Sequence, residues 1–600
     1  MRSTLRAIWL LVPDPFINAA LQNLRVLPDR KHSHDPSTCA AVFHTGVSIG
    51  LTTIVEIPLL SRCEGPTRMS VKLQFPRTGI AHKVRCILLG CFAMVGLSGC
   101  GLKHWAHNNF KVGPEYCPPV EPVASQWIDY TDPRVISSPA DLSAWWTTFN
   151  DPVLNDLVHT ANFQNLTLRE AGARIMEYRA RLRFAQGTMF PQSQNVGGDF
   201  LNTRKSANTA NVQPNLNYNQ WDAGFNASWE VDFWGRYRRG IEAADAELDA
   251  SVENYDDVLV LLTADVARAY TDLRTFQQRL AYARNNVAAQ EGLLENAEDR
   301  LRLGATSERG VQQVRTVLYE TKSLVPTYEA GVRLANNQLC VLLGSPPHDL
   351  TSELGDAAIP SAAPEVVIGI PADLVRRRPD IRRAERELAA QSALIGLATT
   401  DLYPHLGLSG NIGVSAQDFD QLFESRSGSG SFGPYFRWDV LNYGRLVSRI
   451  DIQDARFEQL AWSYEQQVLV AGREAEDGLI TYLRGQERVQ NLEESTAAAA
   501  RTLEISGDQY RQGVIDETAV FIITTTLTRQ QDQLATAQGA RTQSLIDLYR
   551  ALGGGWEIRL NPGVRSNQIS AMPVNATEER IAPALPENED KSPVIPIPEP

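Results

Sequence analysis

Residues 221–232 read WDAGFNASWEVD, an alternation of apolar and polar side chains without an error. On a strand of period two, Trp221, Ala223, Phe225, Ala227, Trp229 and Val231 share one face, and Asp222, Gly224, Asn226, Ser228, Glu230 and Asp232 share the other. One face asks for apolar contact and the other for water. In the second half of the chain Leu406, Leu408, Ile412 and Val414 oppose Gly407, Ser409, Asn411 and Ser415, and Phe432, Phe436, Trp438 and Val440 oppose Tyr435, Arg437 and Asp439. A fourth, weaker alternation lies near Val196 to Thr203. The expected strands, 194–204, 221–232, 405–415 and 431–441, have the length at which about 9–11 tilted residues cross a bilayer. Four strands cannot close a barrel, and open edges are not tolerated in lipid, so several chains would have to share one barrel. Alternation alone fits a soluble sheet half-buried on helices equally well; a membrane address elsewhere in the chain favours the barrel.

Around the strands the chain repeats itself. Trp229 to Gly235-Arg236 recurs as Trp438 to Gly444-Arg445, Leu303-Gly304 as Gln512-Gly513, and Leu343-Gly344 as Leu552-Gly553, each 209 residues later. Upstream, Ala171 to Phe190-Pro191 recurs as Ala384 to Tyr403-Pro404 with an offset of 213. A period this long excludes a solenoid and points to duplication of a large unit, placed at 161–350 and 371–556.

Each unit ends in two long helices. Positions 266, 269, 273, 276, 280, 283, 287, 290, 294, 297 and 301 follow alternating spacings of 3 and 4, and all are apolar except Gln290. That is a coiled-coil seam. Ala471, Ala475, Tyr482, Val489, Leu492, Ala499, Leu503 and Tyr510 repeat it in the second copy. Charges such as Asp265, Arg268, Asp272 and Arg279 exclude a membrane span. Gly304 and Gly513 have the place of C-cap glycines, with Ser307 and Asp516 as N-caps of the helices that follow. The expectation is a long helical hairpin with a tight tip in each copy, at about 240–343 and 447–552.

The address lies in front. Lys83 and Arg85 lead into an uncharged stretch, Cys86 to Leu97, that closes with Leu97-Ser98-Gly99-Cys100. Twelve residues are too few to span a bilayer, which takes about 20 as a helix. The segment reads as a secretory signal over 69–99, with Met69 as initiator, residues 1–68 as an extension outside the fold, and 100–160 as an N-terminal periplasmic segment. Its last four residues resemble the bacterial lipoprotein lipobox, which would make Cys100 the lipidated first residue of the mature chain. Gly101 in place of Asp favours the outer membrane.

Net charge is −13, and because residues 1–99 carry 11 basic and 5 acidic side chains, the body keeps 46 against 65. An acidic body excludes nucleic acid as the expected partner. Seven cysteines, at 39, 63, 86, 91, 100, 117 and 340, show no ligand spacing, so neither a disulfide framework nor a metal site is expected. Gly428 to Gly433 matches GxGxxG, but it sits between strands, and a loop is expected there. Residues 557–600, rich in Pro and Glu, read as a disordered tail.

Val112-Gly113-Pro114-Glu115-Tyr116, Trp145-Trp146 with Phe149-Asn150-Asp151-Pro152, Trp229 to Arg236, Arg377-Arg378-Pro379-Asp380-Ile381 and Leu552-Gly553-Gly554-Gly555-Trp556 together resemble the TolC-like outer-membrane factors, in their lipidated OprM/NodT branch. The resemblance, over about residues 100–560, implies a mainly α fold with a transmembrane β portion. Three chains would form a homotrimeric β-barrel of twelve strands, continued by a periplasmic α-barrel of twelve helices. The implied function is passive export of small molecules through the outer membrane, delivered by an inner-membrane pump of the resistance-nodulation-division type through a periplasmic adaptor. Neither cofactor nor catalytic residues are implied. Type I protein secretion, or a non-transporting lipid-tethered scaffold, are the rival readings. Trp221, Phe225, Trp229, Leu406, Leu408, Ile412, Phe432, Phe436 and Trp438 would face lipid. The adaptor would dock at the tips, on Leu303, Gly304, Ala305, Thr306, Gln512, Gly513 and Val514. Tyr510 corresponds to a gate tyrosine, whereas the family's acidic ring falls on Ala519 and Ile522; Asp516 and Glu517, paired with Arg511, are the candidates to replace it.

Overall fold

The computed structural model describes residues 105–119, 123–138, 141–208 and 214–560; Cys100, the expected signal segment at 69–99 and residues 561–600 lie outside the described residues. A short strand β1 (Val135–Ile136) precedes the first unit, which runs α1 (Pro152–Gln164), α2 (Leu166–Gly187), β2 (Ser193–Arg204), β3 (Asn217–Glu230), α3 (Arg236–Arg302) and α4 (Glu308–Leu342). A linker carries β4 (Val366–Val367), which pairs in parallel with β1, and α5 (Ala372–Arg377). The second unit is α6 (Pro379–Thr400), β5 (His405–Ala416), β6 (Gly428–Arg437), α7 (Arg445–Arg511) and α8 (Glu517–Ala551).

The duplication is legible in these lengths. Both α3 and α7 have 67 residues, both α4 and α8 have 35, and both α2 and α6 have 22. At about 1.5 Å per residue the longest helices extend about 100 Å. Their seam positions, from Val266 to Leu301 and from Ala471 to Tyr510, are buried or half-buried. Over its last half α3 packs on α4, and over its first half on α2 and α6, so the long helix is covered from end to end. Gln290, the polar residue in the apolar row, is 1% exposed and its amide has no partner among the described residues.

The bases of the two hairpins meet in one core, and there the scattered sequence motifs come together. Trp145 and Trp146 are buried, and Trp145 stacks on Tyr549 at 5.3 Å. Asp151 caps α1 by accepting from the Val153 amide at 2.9 Å, and its other oxygen accepts from the Tyr270 hydroxyl at 2.8 Å. Gly554 is flush with this layer, since a Cβ there would lie 2.9 Å from Leu142 and 3.0 Å from Trp145. Arg378 ties α6 to both members of the second hairpin, donating to Glu474 at 2.8 Å and to the Ala551 carbonyl at 3.0 Å, while pairing with Asp380 at 2.8 Å. Burial opposes ionisation of Asp380, but the Arg378 guanidinium overcomes it and holds the carboxyl below its ordinary value.

The four long strands form one antiparallel sheet in the order β2-β3-β5-β6. Its register aligns the apolar rows: Val196 opposes Phe225, which opposes Ile412; Phe200 opposes Trp221; Trp229 opposes Leu408; and Leu406 opposes Phe436. Directly opposite residues project to the same face, so all four strands place their apolar side chains together. No α-helix among the described residues packs along either face. Among the described residues the sheet is thus not covered by the chain's own α-helices.

Three sequence expectations shift. β3 begins at Asn217 and ends at Glu230, so Val231 and Asp232 lie beyond it. β6 occupies 428–437 rather than 431–441; the GxGxxG stretch is part of this strand and not a loop. Trp438 consequently lies past the last ladder pair, and its indole donates to the Leu402 carbonyl at 3.0 Å. Trp229 does the same in the first copy, donating to Met189 at 3.1 Å, so the repeated tryptophans latch strand ends to the preceding helix ends.

Residues 557–560, expected to belong to a disordered tail, are instead part of the folded base. Trp556–Arg559 is a 3-10 turn strapped to α3, with Arg559 donating to both oxygens of Asp256 at 2.6 and 2.8 Å and Arg382 over the Trp556 ring at 4.3 Å. Asp256 is fully buried, and burial outweighs its arginine partners, pushing the carboxyl above its ordinary value. Arg559→Ala should therefore destabilise the chain by about 2 kcal/mol at neutral pH, less than a fully buried pair because Arg382 remains and Arg559 is partly exposed. The loss should shrink on acidification, because a folded-state pKa above the unfolded one means that the native chain gains protons as pH falls. Denaturant unfolding at pH 8 and pH 5 checks this, with the larger deficit expected at pH 8.

Candidate functional site

Two features of the chain stand apart from its core: the hairpin tips and the exposed sheet. At the first tip α3 ends at Arg302, Gly304 takes φ +72°, and Ala305 donates back to the Arg300 carbonyl at 2.8 Å. At the second, Gly513 takes φ +75° and Val514 donates to Gln509 at 2.9 Å. The left-handed residue reverses the chain while satisfying the last carbonyls, and a side chain at either glycine would strain it. Ser307 and Asp516 then cap α4 and α8 as expected, accepting from Gly310 at 3.3 Å and Ala519 at 3.1 Å.

The tips are fastened to each other within the chain. Thr306 donates its hydroxyl to the Glu517 carboxylate, which lies against Gly310 in a space that a Cβ would fill. Arg300 lies 4.3 Å over the ring of Tyr510 and donates to its carbonyl at 3.4 Å. The Tyr510 ring is buried and its hydroxyl has no hydrogen-bond partner among the described residues. Asp516 is used as a cap, and Arg511 pairs with Asp508 at 2.6 Å on its own helix rather than with Asp516 or Glu517. Of the four expected gate residues, then, Tyr510 and Glu517 engage the other hairpin, and Asp516 and Arg511 do not. Arg300 and Gly310 were not singled out from sequence, because their partners lie more than 200 residues away. Of the tip residues expected to meet a partner, Leu303 and Val514 are exposed apolar side chains, 82% and 67%, flanking the two glycines.

Below the tips, a second polar cluster joins the hairpins. Arg279 of α3 donates to both oxygens of Asp532 on α8, at 2.8 and 3.1 Å, and the Tyr328 hydroxyl of α4 donates to the same carboxylate at 2.6 Å. Burial, with that carboxylate beside it, pushes the Tyr328 hydroxyl up to about 12, so it stays a donor at any physiological pH.

On the sheet, Val196, Ile412, Phe432 and Phe436 are 82%, 68%, 79% and 73% exposed, a contiguous apolar surface of a kind soluble monomers seldom display. Phe225 is exposed, and Trp221, Trp229, Leu406 and Leu408 are more covered, Trp221 by the rings of Phe200 and Phe419. The opposite face holds Asn195, Asp222, Asn226, Ser409, Asn411 and Ser431, linked by bonds such as Asn226 to Asn195 at 3.2 Å and Ser431 to Asn411 at 2.6 Å. The outer edges of β2 and β6 have no strand partner among the described residues.

Comparison with known proteins agrees with this architecture. The chain is 29% identical to nodulation protein T of Rhizobium leguminosarum bv. trifolii over 74% of its length and 94% of the relative. It is 28% identical to the cation efflux system protein CusC of Escherichia coli O6:H1, covering 79% of this chain and 99% of that one. The solved outer-membrane channel OprN superposes with a TM-score of 0.69 at 32% identity, over 74% of this chain and 99% of its own. The profile of the outer membrane efflux proteins matches residues 157–345 and 370–554, the two repeats in turn. The chain belongs to the outer membrane efflux protein family.

Proposed function

We propose that three copies of this chain join head to tail into one outer-membrane duct, through which small molecules leave the cell. The observation that carries this is the sheet: one apolar face uncovered and two edges unpaired. In lipid those edge amides would have no acceptor, so the sheet must close with other copies. Because the four strands alternate in direction, β2 and β6 run oppositely, and β6 of one copy meets β2 of the next without breaking the antiparallel order. The same two margins continue into the helices, where Met176 and Phe184 on α2 and Trp462 and Leu469 on α7 are exposed. Two copies would give eight strands, whose interior side chains nearly fill; three give twelve and leave a lumen. Trp221, Phe225, Trp229, Leu406, Leu408, Ile412, Phe432 and Phe436 then face lipid, and the Asn/Ser/Asp face lines water. Trp438 stands at the membrane boundary instead of on a strand.

The α-barrel carries the lumen across the periplasm toward the tips. Export is passive: an inner-membrane pump of the resistance-nodulation-division type supplies the energy, and a periplasmic adaptor joins it to the tips at Leu303, Gly304, Ala305, Thr306, Gln512, Gly513 and Val514. Arg300 on Tyr510 and Thr306 on Glu517 hold the hairpins together and favour the closed end. Lipid on Cys100 anchors the chain on the periplasmic side of the outer membrane.

Three measurements test this reading. In detergent the protein should migrate as a trimer that heat dissociates, and in planar bilayers it should conduct; a non-conducting monomer would defeat the reading. Arg300→Ala combined with Glu517→Ala removes both ties, each about 1 kcal/mol at this exposure, and should raise the open-to-closed ratio by up to about thirtyfold. An unchanged single-channel record would remove these residues from the gate. Labelling with radioactive palmitate should be lost in Cys100→Ala, and equal incorporation would reject the anchor.

A further inference from the structure

The two long helices of the repeat begin differently. In the first copy the Asp232 carboxylate accepts from the amides of Tyr237 at 3.0 Å and Arg238 at 3.2 Å, and pairs with the Arg238 guanidinium at 2.8 Å. The residue 209 positions later is Leu441, which is exposed, and the equivalent amides, of Leu446 and Val447, have no acceptor among the described residues. Where the first copy holds a carboxylate, the second holds an exposed leucine, so the acid that neutralises the arginines of the first helix start has no counterpart in the second.

Arg445 and Arg449 on the first turns of α7, Arg437 at the end of β6, and Arg236 across from them on α3 all line one recess of about 270 Å³. Two carboxylates share it. Asp401 is engaged by both Arg236 and Arg449, the latter at 2.8 Å, and Asp439 forms no ion pair among the described residues. His405, also on the wall, is hydrogen-bonded to Glu230 at 2.8 Å. Arg437 and Arg445 form no ion pair among the described residues. Four guanidinium groups thus converge against two carboxylates, in a chain whose net charge is −13. Two of those cations also stand at the positive end of a helix, an unfavourable placement that an anion would relieve.

We infer that this recess binds a phosphate group. The guanidinium forks of Arg437 and Arg445 supply charge-assisted donors that no internal acid takes up, Leu446 with its open amide also lines the recess, and the volume admits a tetrahedral oxyanion. The phosphate can belong to a membrane phospholipid or to a phosphorylated solute in the lumen. Trp438, Val440 and Tyr443, all exposed, stand beside the recess at the boundary between strands and helices. That this boundary lies at the level of lipid headgroups rests on the channel reading; the binding chemistry does not.

The test uses the full-length protein in detergent. Inorganic phosphate is titrated calorimetrically, and phosphatidylglycerol is titrated in mixed micelles with diacylglycerol, which lacks the phosphate, as the blank. Two variants are compared with the wild type: Arg437→Gln with Arg445→Gln, and Leu441→Asp, which returns the carboxylate used in the first copy. All three positions are exposed and without ion pairs, so folding is not at stake. Wild type should bind saturably, with inorganic phosphate alone indicating a solute and tighter phosphatidylglycerol binding indicating lipid. Both variants should lose about tenfold or more in affinity. Absence of binding to either probe, or a variant that binds as tightly as the wild type, would overturn the inference. Because the readout is binding and not conductance, this proposal and the channel reading fail separately.

Discussion

A strand edge placed in hydrocarbon has amides that nothing can satisfy, and the rest of this molecule is arranged around that constraint. One copy builds four strands with their apolar side chains in register on one face, then stops, leaving β2 and β6 open at opposite margins. In a soluble protein such edges would be blunted by charge, proline or a covering helix. Here no α-helix among the described residues lies along the sheet, and most of the apolar face is exposed. On the proposed reading, that incompleteness in one copy is what closure among several copies would satisfy.

The helices solve a different problem, that of length. A helix of 67 residues has far too much surface to be held by propensity, and the seam of 3 and 4 spacings provides continuous packing along α3 and α7. At the tips two polar contacts, Arg300 with Tyr510 and Thr306 with Glu517, tie one hairpin to the other. At the opposite end Trp145, Trp146, Tyr270 and Tyr549 make a broad core that fixes both hairpins to one base. A rigid base and a lightly tied tip are what a gated duct requires.

Much of this was legible in the sequence because its signals are local and periodic. The seam, the tip glycines, the caps Ser307 and Asp516, and the 209-residue offset are patterns of spacing, and the structure reproduces them as equal helices and matched positive-φ glycines. What escaped depends on pairing across distance. Arg300 meets Tyr510 from 210 residues away, and Arg559 meets Asp256 from 303, and nothing around either arginine marks it. Polar Asn217 to Gln220 hid the start of β3, and the glycines of 428–433 hid β6, because small and polar residues read as loops away from their ladder partners. Trp438 erred in the other direction: alternation continued past Arg437 after the hydrogen-bonded ladder had ended.

Pairing of β6 in one copy with β2 in the next is the most direct consequence of the account. Cysteines placed one at a time along 193–204 and along 428–437, oxidised in outer-membrane vesicles, map that contact. Disulfides between copies should form in an antiparallel register and link the chains into closed covalent trimers. If cross-links form only within single chains, or not at all, the shared barrel is contradicted.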